Sequence, residues 1–79
     1  MEIKILGTGC ANCKVLEKMV YNVLAEMNIS ANVEKVEDIT KIMSYGIMQT
    51  PGLVINKKVV LAGKLPSIKE LKEIIEKNK

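Results

Sequence analysis

The sequence predicts an α/β fold with the element order β-α-β-α-β-β-α, in which a four-stranded mixed sheet carries helices on both faces. Three observations lead there. A short apolar run at residues 2–6 ends in Gly7 and is followed by a long stripe of apolar residues at helical spacing. Two further apolar runs, Leu53-Val54-Ile55 and Val59-Val60-Leu61-Ala62, are separated only by Asn56-Lys57-Lys58, the pattern of a hairpin. The chain then reaches Ser67-x-x-Glu70, a capping box that opens a last helix.

Each element has its own local reason. Residues 2–6 read as a buried strand ended by the turn at Gly7. Over roughly residues 11–28, Leu16, Met19, Val20, Val23, Leu24 and Met27 share one face of a helix, while Lys14, Glu17, Lys18, Asn22 and Glu26 share the other. The two methionines on that stripe are core filler rather than metal ligands. Residues 31–36 form a second short strand. Asp38 caps a brief helix whose apolar face is Ile39, Ile42 and Met43, and Gly46 stops it. After Gln49-Thr50-Pro51 the hairpin supplies two more strands, and the last helix turns Ile68, Leu71, Ile74 and Ile75 inward. Joining the first two strands through a helix makes them a parallel, right-handed crossover, and the hairpin adds antiparallel strands to the same sheet. Lys57, Lys58, Lys69, Lys72, Lys77 and Lys79 solvate surfaces.

At 79 residues the chain reads as one domain, 1–79, able to bury only ~60% of its unfolded surface. Aromatic residues are 3% of a composition that is 48% hydrophobic, so the core has to be aliphatic. The net charge of +3 comes from interspersed charges of both signs, and two tyrosines with no Phe or Trp leave little to stack on bases. Nucleic acid is therefore not an expected partner. The first residues lack a basic segment followed by a long apolar one, and no run approaches membrane-spanning length. The expectation is a cytoplasmic protein with no membrane partner, in a compartment where structural disulfides are hard to keep.

Against that background the stretch Gly7-Thr8-Gly9-Cys10-Ala11-Asn12-Cys13-Lys14 holds both cysteines of the chain. As a staple the pair is poorly placed, since closing so short a loop yields only ~2 kcal/mol against ~4.7 for a loop of 100 residues. Cys13 continues the apolar stripe that runs through Leu16 and Val20, so its sulfur should point into the protein. Cys10 falls one turn earlier, at the helix mouth, where unpaired N–H groups and the helix dipole favour negative charge. Positions three apart on a helix bring their Cβ atoms to ~5–6 Å, close enough for a disulfide after modest rotation. An exposed, acidified sulfur beside a buried one suits an attacking thiolate with a resolving partner. Lys14 belongs to the solvated face.

Two other readings stay open at this point. A Cys-x-x-Cys pair can hold monovalent copper, although copper-binding domains of this pattern carry Met two residues before the first Cys, where this chain has Thr8, and end in a strand rather than a helix. A closed zinc site needs about four ligands, more than two cysteines and no histidine supply. The third reading is a binding module with a vestigial dithiol.

A strand, a Cys-x-x-Cys at a helix start and a later Thr50-Pro51 opening a strand together resemble the thioredoxin superfamily along essentially the whole chain. The Gly7-Thr8-Gly9-Cys10-Ala11-Asn12-Cys13 start is similar to that of the small, mostly archaeal redox-active disulfide proteins of thioredoxin or glutaredoxin type. The resemblance implies a thioredoxin-like fold and a thiol–disulfide oxidoreductase, with Cys10 as nucleophile, Cys13 as resolver and Pro51 as a cis-proline facing the dithiol. It also implies a substrate groove of Thr8, Gly9, Ala11, Asn12, Thr50 and Gly63, in which the Thr50 backbone pairs with an extended segment of the target. No metal and no cofactor beyond a redox-active Cys10–Cys13 disulfide is implied. The implied partners are protein disulfide substrates and a disulfide reductase, met by a monomer. The chain departs from the family pattern in lacking Trp-Cys-Gly-Pro-Cys and Cys-Pro-Tyr-Cys, and in carrying Lys4 where thioredoxins place an acid six residues before the first Cys. After Gly63, Lys64-Leu65-Pro66-Ser67 replaces the acidic residues with which glutaredoxins hold glutathione.

Overall fold

The computed structural model describes residues 1–78, so Lys79, read above as a surface lysine, lies outside the described residues. Seven elements follow one another: β1 (Glu2–Leu6), α1 (Ala11–Glu26), β2 (Asn32–Val36), α2 (Ile39–Ser44), β3 (Gly52–Ile55), β4 (Lys58–Ala62) and α3 (Ile68–Asn78). The sheet order is β2-β1-β3-β4, with β1 parallel to β2 and antiparallel to β3, and β3 antiparallel to β4. The fold class and element order are those expected.

Pleating decides which side chains meet which helix. On one face Ile3, Ile5, Leu53, Ile55 and Leu61 pack with Leu16, Val20, Val23 and Leu24 of α1 and Leu71 and Ile75 of α3. On the other, Leu6, Val36 and Val54 meet Ile42 of α2 and Ile47 beyond it. Every residue of β3 is buried, as befits an inner strand covered on both faces. At the outer edge β2 buries only Val36 and exposes Glu34 and Lys35, charges that discourage edge pairing.

The boundaries shift where backbone geometry overrides the pattern. Helix α1 ends at Glu26 rather than near residue 28, because Asn28 turns left-handed (φ 55°) and the Ile29 N–H returns to the Leu24 carbonyl at 2.9 Å. The hairpin turn is two residues rather than three. Asn56 and Lys57 both have positive φ, and Lys58 already belongs to β4. The Asn56 side chain ties the turn to its surroundings, accepting the Glu2 N–H at 2.9 Å and donating to the Asn78 carbonyl at 3.0 Å. The capping box of α3 forms in both directions, Ser67 N–H to Glu70 Oε1 at 3.3 Å and Glu70 N–H to Ser67 Oγ at 3.2 Å.

Two expectations fail. Ile68, expected to face inward, is 43% exposed at the first position of α3, where the core is met only from Leu71 onward. Asp38 does cap α2, accepting the Thr40 N–H at 2.9 Å, but of the apolar face assigned to that helix only Ile42 is buried. Ile39 and Met43 are 61% and 65% exposed. A helix of six residues has room for one inward position per turn, and α2 spends it on Ile42. Among the described residues no helix is long and apolar enough to cross a membrane.

Candidate active site

Cys10 is the N-cap of α1. Its extended backbone (φ −67°, ψ 163°) aims the sulfur back over the first turn, where it accepts the Cys13 N–H at 3.1 Å. The Cys10 carbonyl accepts the Lys14 N–H at 3.1 Å and so starts the helix. No acidic residue occupies the first turn, so the positive field of the helix N-terminus is left for the Cys10 sulfur. Cys10 is half-buried and Cys13 is 6% exposed. The two are joined as a disulfide with their Cα atoms 5.0 Å apart.

The seat for Cys13 is made by Gly7, a residue that composition and periodicity did not single out. Gly7 closes β1, donating its N–H to the Val36 carbonyl at 3.0 Å. A Cβ at this position would overlap Cys13 Sγ and come within 3.0 Å of Cys13 Cβ. The same point lies 4.0 Å from Thr50 Cβ, so the segment before β3 approaches the dithiol from across the sheet end. The Thr50–Pro51 peptide bond is cis and Pro51 is buried. Its carbonyl accepts the Gly63 N–H at 2.9 Å. Gly63 has φ +79°, and a side chain there would meet Gln49 Oε1 at 2.6 Å, so the start of the α3 connection lies flat on the Gln49–Pro51 segment.

The structure thus brings Cys10, Cys13, Thr50, Pro51 and Gly63 to one end of the sheet. Thr8, Gly9, Ala11 and Asn12 lie exposed around them, Gly9 with φ +85° and open space on its side-chain side. The sequence matches the thioredoxin domain family over residues 1–76. The chain belongs to the thioredoxin family. It is 37% identical over 75 residues to a thioredoxin of Methanothermobacter thermautotrophicus, an alignment covering 95% of this chain and 97% of that one. A thioredoxin of Methanocaldococcus jannaschii is 37% identical over 71 residues, 90% of this chain and 81% of the other. In structure the chain is similar to thioredoxin 1 of Thermosipho africanus, with a TM-score of 0.66 at 20% identity over 98% of this chain and 92% of that one, a likeness of fold. With the Cys10–Cys13 disulfide at its helix mouth, this thioredoxin-family chain is a thiol–disulfide oxidoreductase.

Two features of this thioredoxin site go beyond what the sequence showed. The apolar side chains that α2 leaves outside form, with Met48, a groove beside the dithiol of about 260 Å³, lined by Thr8, Ile39, Ile42, Met43, Ile47, Met48 and Thr50. Met48 is 97% exposed. The other is Lys4, at the position where thioredoxins carry an acid. A hydrogen bond with the Tyr45 side chain is the largest of the contributions that hold its pKa above the ordinary lysine value, and Glu34 and Glu2 add to it. Another surface groove, about 490 Å³ between Glu26, Met27 and α3, lies at the far end of α1 and takes no part in this site.

Proposed function

We propose that the chain works as a monomeric, single-domain dithiol carrier of the cytoplasm, reducing protein disulfides without a cofactor beyond its own Cys10–Cys13 pair. The observation that carries the reading is the asymmetry of the two sulfurs. Cys10 is accessible and receives a backbone N–H at a helix N-terminus, where negative charge on sulfur is favoured, whereas Cys13 is enclosed against Gly7. Cys10 thiolate attacks one sulfur of the target disulfide, forming the Cys10–target bond and releasing the other target sulfur as a thiolate. Cys13 then attacks Cys10 Sγ, the second target sulfur leaves with the bonding pair, and the Cys10–Cys13 disulfide remains. A disulfide reductase returns two electrons. Thr50, buried Pro51 and Gly63 form the floor on which an extended target segment pairs with the Thr50 backbone, flanked by Thr8, Gly9, Ala11 and Asn12. The apolar wall of Ile39, Met43 and Met48 receives side chains next to the target disulfide.

The test is a pair of variants with a disulfide-bonded protein as substrate. Cys10→Ser is expected to abolish reduction, and Cys13→Ser to accumulate a covalent adduct through Cys10, seen by mass spectrometry under non-reducing conditions. In the reduced parent at pH 7, Cys10 is expected to be alkylated well before Cys13. Equal alkylation rates, or an adduct on Cys13, overturn the assignment.

A further inference from the structure

Beside the buried sulfur, on the side away from the apolar groove, lies a cleft of about 80 Å³ whose wall includes Cys13 itself. Four charged side chains border it, Lys14 and Glu17 from α1, and Lys35 and Glu37 from β2 and its exit, while β1 and the loop after it contribute no charge. Glu17 follows Cys13 by one helical turn, a spacing that stacks side chains on one face with Cβ atoms ~5–6 Å apart. Its carboxylate is held by Lys35 Nζ at 3.6 Å and its side chain is only 25% exposed. Glu37, by contrast, is exposed. The cleft has room for about two waters, and its charged rim supplies them with partners.

A resolving thiol that is 6% exposed has a difficulty that an exposed one does not. It must ionise to attack, burial disfavours the thiolate, and a proton leaving it needs an acceptor. Lys4 and Tyr45 lie on the α2 side of the sheet and cannot serve. We infer that Glu17 accepts the Cys13 proton through water in this cleft during the resolving step, with Lys35 positioning its carboxylate. The inference rests on the reading of Cys13 as the resolving thiol. In the step, the Cys13 S–H proton passes through water to the Glu17 carboxylate and leaves its electron pair on sulfur. That pair forms the Cys13–Cys10 bond as the Cys10–target S–S bond breaks, and the departing target thiolate takes up a proton, which Glu17 can return to solvent or to the target.

The experiment uses the reduced full chain and an aromatic disulfide whose thiolate is coloured on release, followed by stopped flow between pH 6 and 8. The first equivalent reports attack by Cys10 and the second reports resolution by Cys13. Glu17→Gln is expected to leave the first phase unchanged and to slow the second ~100-fold at pH 7, the low end of what a positioned base contributes. Its second phase should also climb more steeply with pH than the parent's, as for an unassisted thiol. Glu17→Asp, which keeps a carboxylate, should recover part of the rate, and Glu37→Gln should match the parent. An unchanged second phase in Glu17→Gln, equal slowing of both phases, or the same loss in Glu37→Gln overturns the role of Glu17. Cys13→Ser separates the two readings. With one phase only, the resolver assignment stands whatever Glu17 does, and with both phases that assignment falls and takes this inference with it.

Discussion

Gly7 illustrates how a single absent side chain sets the geometry of a redox site. The Cys13 sulfur occupies the space a Cβ would fill, and the strand is held there by the bond from the Gly7 N–H to Val36. Gly7→Ala has to displace either the sulfur or the strand end, and overpacking of this kind costs ~1–3 kcal/mol. The expected result is a lower urea midpoint together with slower disulfide exchange per folded molecule. Gly9→Ala is the contrast, because its Cβ would enter open space and the cost is only the left-handed strain of ~1–2 kcal/mol, so exchange per folded molecule should stay near the parent's. If both variants lose exchange equally, the Gly7 seat is not what matters. The placement of the cysteines, Cys10 at the N-cap and Cys13 buried, was legible because a helix start and an apolar stripe can be read from local pattern. Gly7 was read only as a turn, since nothing in a linear pattern reveals what approaches a glycine from another element.

At the scale of elements, α1 and α2 differ in how far periodicity can be trusted. Sixteen residues give α1 more than four turns, and Leu16, Val20, Val23 and Leu24 fall inward as their spacing requires. In the six residues of α2 the same spacing marks Ile39, Ile42 and Met43 as one face, yet a face this short can turn toward the sheet or toward the mouth of the site. The exposure of Ile39 and Met43 takes them out of the core and supports the contact role proposed for them. Replacing both with Ser is expected to leave the urea midpoint nearly unchanged and to raise KM for a disulfide-bonded protein several-fold, with the rate toward a small soluble disulfide unaltered. A large loss of stability would return these residues to the core. The hairpin offers a second check, because Lys57 sits at φ +70° in a two-residue turn that favours glycine there. Relief of ~1–2 kcal/mol of left-handed strain, less the ~0.5–1 kcal/mol entropy that glycine costs, leaves Lys57→Gly more stable by about 0.5–1 kcal/mol in the same urea measurement.

The two faces of the sheet are unequal, and the inequality coincides with the proposed division between scaffold and contact surface. The face under α1 and α3 buries a continuous aliphatic layer from Ile3 to Ile75, and the Lys72–Glu26 pair at 2.6 Å ties the end of α1 to the middle of α3. Among the described residues the α2 face buries Leu6, Val36, Ile42, Ile47 and Val54, with Tyr45 and Val59 partly buried against them. Burying one such aliphatic side chain is worth ~1.5–3 kcal/mol, so α2 is anchored mainly by Ile42 and Ile47, while α1 and α3 share many such anchors. Local opening free energy follows this density of buried contacts. In native-state hydrogen exchange the amides of Ile42 and Tyr45 in and after α2 are expected to exchange through openings insensitive to low denaturant. Those of Val20, Leu53 and Leu71 should exchange only with global unfolding. Such an ordering would let the groove wall adjust to different targets while Gly7, Cys10 and Cys13 stay fixed on the stiff face. Protection of Ile42 equal to that of Leu53 would instead mean that α2 is as rigid as the sheet, and that targets have to fit a preformed groove.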